Sequence, residues 1–184
     1  KLELLLNEVR RLDGMVNDFL KLARGYDLSL QKVQLNDVLQ ELVDLTEPRA
    51  AKSGVQIRFF KKPDLPKLSL DREVFKQAVL NLMINALDAM PKGGELIISA
   101  ESKDGRVVLT VTDTGEGIAA EKIDKIFNPY FSTKKGGTGL GLPTSRRIVE
   151  EHGGTIAVVS DEGQGTAFTV ALPVDAGAKG NTHG

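Results

Sequence analysis

Residues 137–143 read Gly-Thr-Gly-Leu-Gly-Leu-Pro, and no other stretch constrains the fold as strongly. The alternating glycines Gly137, Gly139 and Gly141 let the backbone approach a ligand with no Cβ in the way. Pro143 suits the first turn of a following helix, where its missing N–H costs nothing. That helix, running to about Glu151, would aim its unpaired N–H groups and positive dipole end back at the glycines. The combination predicts a seat for a polyphosphate. A Rossmann-type dinucleotide site is excluded, because G-x-G-x-x-G would need glycine at Leu142, and no Walker A pattern occurs.

Three blocks precede this stretch in order: Asn81-Leu82-Met83-Ile84-Asn85, Asp113-Thr114-Gly115-Glu116-Gly117 and Phe127-Asn128-Pro129-Tyr130-Phe131. Gly165-Thr166-Ala167-Phe168 follows it. Together they closely resemble the N, G1, F and G2 boxes and the last glycine box of two-component sensor histidine kinases. The ATP-binding module of that family has the Bergerat fold, shared with gyrase-type topoisomerases, a heat-shock chaperone and mismatch-repair ATPases. The resemblance covers roughly Leu35 to Pro173. It implies a two-layer α/β sandwich, a mixed sheet with helices on one face.

The local patterns point the same way. Leu2, Leu5, Val9, Leu12, Val16, Phe19 and Ala23 step by three and four, an a/d stripe that calls for a partner helix. This segment, residues 1–25, resembles the second helix of the family's dimerisation hairpin. Residues 26–34 read as a connector, 35–173 as the ATP-binding catalytic domain, and 174–184 as a disordered tail. Asn36 is the expected cap of a helix to Lys52, ended by Gly54. Val55–Phe60 alternates as a strand, and Leu68–Leu70 reads as a short one. Asp71 caps a central helix from Arg72 to Met90, stopped by Pro91-Lys92-Gly93-Gly94. Leu96–Ala100 and Val107–Thr112 form a hairpin, a short helix lies near Glu121 to Ile126, and Phe127–Gly141 is a loop. Thr155–Ser160 and Thr166–Leu172 form a second hairpin.

Asn81 and Asn85, four apart, share a helix face. The resemblance makes the Asn85 side-chain oxygen the Mg²⁺ ligand and so ties Mg²⁺ to bound ATP. Where ATPase cousins carry a water-activating glutamate one turn earlier, this chain has Asn81, whose amide is no useful base; ATP should be held without efficient hydrolysis. Asp113 is either an Asx-turn residue or, as the resemblance implies, the acceptor of the adenine amino group. Gly115 and Gly117 would give the base room, and Thr166 would complete its contacts. Phe127 and Phe131 bracket the loop that covers ATP in the family, with Tyr130 set to pack on the nucleotide. Of Lys134 and Lys135, Lys134 falls on the family's Phe-x-Thr-Lys pattern and is expected to reach the triphosphate. The resemblance gives the same phosphates to the backbone of Gly137, Thr138, Gly139, Leu140, Gly141 and Leu142. His152, before Gly153-Gly154, reads as a structural helix end favoured by a positive charge, and His183 lies in the tail.

The family's acceptor histidine sits in a His-Glu or His-Asp motif, which this chain lacks. The resemblance therefore implies the ATP-binding part of a protein-histidine kinase, transferring the γ-phosphoryl to a histidine elsewhere. A response-regulator receiver domain would take it next, and the parent would dimerise through a four-helix bundle. A Bergerat-fold ATPase and a nucleotide-gated scaffold are the alternatives. A net charge of −1 argues against nucleic acid as a partner. No apolar run approaches the roughly 20 residues that span a bilayer, so no direct membrane contact is expected. The absence of cysteine suits a reducing cytosol, and without an initial Met the chain reads as a cytoplasmic piece of a longer protein whose parent has its own anchor or none.

Overall fold

The computed structural model describes residues 24–134 and 137–174, and positions 6, 9, 16 and 20 of the N-terminal segment. Leu2, Leu5, Leu12, Phe19 and Ala23 of the heptad stripe, Lys135, Gly136 and the tail from Asp175 lie outside the described residues. Val9 and Val16 of that stripe are helical and expose 61% and 57% of their surface.

The elements run β1 (Gln31–Val33), α1 (Leu35–Lys52), β2 (Val55–Phe60), β3 (Leu68–Leu70), α2 (Arg72–Asp88), β4 (Gly94–Lys103) and β5 (Arg106–Asp113). They continue with α3 (Ala120–Ile123), α4 (Gly141–Glu151), β6 (Thr155–Asp161) and β7 (Gly165–Pro173). A five-stranded sheet has the order β2-β4-β5-β7-β6. Only β2 and β4 run parallel; the other neighbours are antiparallel, which makes the expected mixed sheet. The strand period of two decides what is buried. Leu96 and Ile98 of β4, Val107, Leu109 and Val111 of β5, and Phe168, Val170 and Leu172 of β7 all lie in the core. Leu35, Leu39 and Leu42 of α1 and Phe75, Val79, Leu82 and Ala86 of α2 recur at helical spacing and close over that face. This is an α/β sandwich with its helical layer on one side.

Several elements differ from the sequence expectation. The stretch read as connector carries β1, which pairs antiparallel with β3, Val33 opposite Leu68. Asn36 does not cap α1: the cap position is Gln34, without a side-chain bond, and Asn36 Nδ2 donates to the Lys62 carbonyl at 2.8 Å. The amide reaches across to a loop rather than back to its own helix. Asp71 does cap α2, accepting from Val74 N at 3.1 Å, and the helix ends at Asp88, two residues before Met90. The short helix is only Ala120–Ile123.

His152 closes α4 differently from the expectation of a charged cap. Its Nδ1 lies 2.7 Å from the Ile148 carbonyl, and Asp71 N donates to its Nε2 at 3.0 Å. One nitrogen must donate and the other accept, which specifies a neutral ring with its proton on Nδ1. Asp71 thereby joins the start of α2 to the end of α4. It also accepts from Ser29 N at 2.9 Å, so the connector is fastened to the same residue. Burial pushes the Asp71 carboxyl up, but the Ser29 and Val74 amides hold it below the usual carboxylate range.

Thr144 of α4 is 1% exposed, and its Oγ1 is buried with no partner. An unpaired buried hydroxyl is costly, and valine has nearly the same shape. Thr144→Val should therefore raise the unfolding free energy by about 1 kcal/mol. Urea denaturation would measure it; a loss of stability would mean the hydroxyl is solvated or bonded in solution. Among the described residues, no helix is long and apolar enough to cross a membrane.

Candidate functional site

The lower end of α2, the β5 terminus, the loop after α3 and the start of α4 surround a cavity of about 440 Å³. That is within the usual range for a small-ligand site. Its apolar wall includes Ile118, Ile126, Phe131, Leu142 and Phe168; its polar groups include Asn81, Asn85, Asp88, Asp113, Lys134 and Thr166.

Asp113 reaches the cavity because strand alternation carries β5 onto its buried face at the last residue, two residues after Val111. It is 3% exposed. Burial pushes its carboxyl above the usual carboxylate range, against the opposing pull of the Gly115 and Thr166 amides; Gly115 N donates to Oδ1 at 2.9 Å. Thr166 is its register partner on β7, and Ser160 Oγ lies 2.9 Å from Thr166 Oγ1. The turn after Asp113 depends on glycine at Gly117, whose φ is +68° and whose Cβ would land on the Asp161 carbonyl. Gly115, expected to give the base room, lies outside the cavity lining; a Cβ there would meet the Ala89 carbonyl.

On α2, Asn81, Asn85 and Asp88 follow one helical face into the cavity. Asn81 Nδ2 donates to the Gly141 carbonyl at 3.2 Å. Beside it, Ser145 Oγ donates to the Ala78 carbonyl at 3.1 Å, so α2 and the start of α4 are pinned together. A glutamate at position 81 would set a carboxylate against that carbonyl; an amide fits. Asn85 Oδ1 accepts from the Lys134 ammonium at 3.0 Å, and Asp88 Oδ2 accepts from the same group at 3.1 Å.

The start of α4 has no side-chain cap and no acidic residue in its first turn. Its first residues Gly141, Leu142 and Pro143 line the cavity together with Gly137, Thr138 and Gly139, which sets the positive end of the helix dipole at the cavity wall. Leu140 turns into the core, 1% exposed, and Leu140 N donates to Thr138 Oγ1 at 3.3 Å. In the loop above, Phe127 meets Phe168 edge-on, with centroids 6.4 Å apart, and Arg146 lies over the Phe127 ring at 5.5 Å. Tyr130 stands apart from the expectation: it is 64% exposed, with φ +66°, and lies outside the cavity lining. Its amide donates instead to the Gly139 carbonyl at 3.0 Å, tying the loop to the glycine stretch.

The structure thus gathers Asn81, Asn85, Asp113, Gly117, Lys134, Thr166 and most of the glycine stretch around one cavity. Asp88, Ile118 and Ile126 are additions that the sequence patterns do not single out. Spacing does hold a signal for Asp88, since it lies three residues beyond Asn85 on the same face. Ile118, Ile126 and Phe168 have the pattern of ordinary core.

Residues 70–176 match the family model described as histidine kinase-, DNA gyrase B-, and HSP90-like ATPase. Sensor histidine kinase ZraS of Escherichia coli (strain K12) is 40% identical over 173 residues, covering 94% of this chain and 37% of ZraS. Full-length ShkA, crystallised in complex with AMPPNP, aligns with a TM-score of 0.80 at 33% identity, over 89% of this chain and 36% of ShkA. Histidine kinase ThkA, in its complex with response regulator protein TrrA, aligns with a TM-score of 0.78 at 29% identity, over 94% of this chain and 50% of that one. The chain spans little more than a third of the length of ZraS. The family model covers more than half of the chain, which therefore belongs to the histidine kinase-, DNA gyrase B- and HSP90-like ATPases, with sensor histidine kinases among its relatives.

Proposed function

We propose that this chain is the ATP-binding catalytic part of a sensor histidine kinase. It binds Mg-ATP and transfers the γ-phosphoryl to a histidine on a dimerisation helix supplied by the longer protein. A response-regulator aspartate is the next acceptor. The observation that carries this reading is one cavity holding a buried carboxylate at its base, an uncapped helix start at its side and the Asn85–Lys134 pair at its mouth.

Each group has a role. Asp113 accepts from the adenine amino group; guanine would turn a carbonyl toward it and leave two acceptors facing. Thr166, oriented by Ser160, supports the base, and Gly117 keeps that end open. The amides at the start of α4 and the glycine stretch receive the phosphates. Asn85 Oδ1 is suited to Mg²⁺, because it is a hard oxygen already accepting from a cation, the Lys134 ammonium. Held there by Asn85, Mg²⁺ would supply the positive charge that neutralises what develops on the phosphates during transfer. Lys134 adds a mobile positive charge from the loop, and Asn81, bonded to Gly141, offers no base to activate water. Positioning by these groups does the rest. The exposed Val9 and Val16 support a dimerisation helix in the parent.

The test mixes the chain with γ-labelled Mg-ATP, with and without the acceptor hairpin of the longer protein. Acid-labile, base-stable label on the hairpin, and none on the chain alone, is the expected result. Steady phosphate release without transfer would replace the reading with an ATPase; binding with neither would replace it with a nucleotide-gated scaffold.

A further inference from the structure

An ammonium group has three N–H donors. Around Lys134 Nζ stand three protein oxygens: the Asn85 carbonyl at 3.3 Å, Asn85 Oδ1 at 3.0 Å and Asp88 Oδ2 at 3.1 Å. Each of its three donors has a protein acceptor. The other Asp88 oxygen, Oδ1, accepts from Arg49 Nη2 at 2.5 Å, so a residue near the end of α1 fixes which oxygen faces the cavity. All three acceptors belong to the last turn of α2, where the helix dipole is negative and favours a cation. Hard oxygens clustered at such a point are also what Mg²⁺ prefers. One of them is the very oxygen assigned above to the metal. Two cations cannot share it, because charges at contact distance repel strongly in a partly closed site.

We propose that Lys134 is a stand-in cation: in the nucleotide-free protein its ammonium occupies the metal's place on Asn85, held there by Asp88, and binding of Mg-ATP exchanges one for the other. The inference rests on the reading of Asn85 as metal ligand and extends it to the loop. Asp88, which the sequence did not single out, is then a positioning residue that acts through Lys134. It sets where the loop rests without nucleotide. Metal arrival frees the lysine, and the triphosphate receives it, so loop position and metal occupancy change together. Loss of nucleotide returns Lys134 to its three oxygens. The pair is partly exposed, 37% and 32% by side chain, so the bias is modest and reads as a several-fold effect.

Mn²⁺ is the probe for the exchange. In the nucleotide-free protein it should broaden the Asn85 side-chain amide signal in an NMR titration. Lys134→Gln should reach half-maximal broadening at several-fold less Mn²⁺ than wild type, while Lys125→Gln, at an exposed lysine near the same loop, should stay within about twofold. Equal titrations for wild type and Lys134→Gln, or no broadening in either, would overturn the exchange. If Asn85 also stayed sharp with ADP and Mn²⁺ together, the metal assignment itself would fall, so the two failures are separable. For Asp88, the readout is chymotrypsin cleavage at the exposed Tyr130. Asp88→Asn should speed it several-fold in the wild-type background and leave it unchanged in the Lys134→Gln background. The same acceleration in both, or none in either, would remove Asp88 from the device.

Discussion

Asn85→Ala is expected to lower phosphoryl transfer from ATP by roughly 10²–10³-fold while leaving the domain folded. The chemistry of phosphoryl transfer leaves little for the protein to do except position the groups and neutralise charge. Loss of the oxygen proposed to hold the metal should therefore fall on the rate more than on the fold. Asn85 lies within α2, where alanine is the better helix former by up to about 0.7 kcal/mol, so no compensating destabilisation arises. Lys134 loses one side-chain acceptor but keeps Asp88 and the Asn85 carbonyl. Nucleotide binding without metal should stay within a few-fold of wild type, because Asp113 and the start of α4 are untouched. The check is the transfer rate across a range of Mg²⁺ concentrations, beside a thermal melt. Half-saturation should move to higher Mg²⁺. A slower rate with an unchanged Mg²⁺ dependence would put the metal on another residue.

Most of this site is legible in the order of its sequence blocks, because each block combines unusual residue types with a fixed local geometry. Spacing alone places Asn81 and Asn85 on one helix face, and alternation places Asp113 at a strand end. The features that local patterns miss are long-range. β1 has three residues, of which only Val33 is buried, and it is a strand because β3 pairs with it. Asn36 has the composition of a cap, yet a loop carbonyl from Lys62 takes its amide first. Tyr130 fits the family's pattern by position, but a left-handed backbone and a bond to Gly139 leave the ring outside the cavity lining. Asp88 has the pattern of a solvated helix end, yet Arg49 and Lys134, 39 and 46 residues away, both donate to its carboxylate. His152 illustrates the same limit, since no local pattern reveals that Asp71 N donates to its ring.

Asp113→Asn should weaken ATP binding roughly 10- to 100-fold and at the same time make the nucleotide-free domain more stable. The two effects share one cause. The carboxylate is buried at the end of β5, and burial raises its proton affinity, so at neutral pH the ionised form is held at a cost to folding. A group whose folded pKa is raised contributes stability that is fully present below its unfolded pKa and lost as pH rises through the folded one. The asparagine variant carries no such charge, so its advantage should be present at pH 7 and vanish on acidification below the ordinary carboxylate range. Its amide oxygen can still accept from Gly115 N, which preserves the turn. Toward the ligand, however, it replaces a charged acceptor by a neutral group that also donates. Discrimination against GTP should fall by about tenfold or more, because the guanine carbonyl then meets a donor instead of a second acceptor. Calorimetric titration with ATP and GTP, paired with melts at pH 7 and pH 4, reads all three effects. Weaker ATP binding with no gain in apo stability would mean the carboxylate is well solvated. A gain in stability with ATP binding and base preference unchanged would take Asp113 out of base recognition.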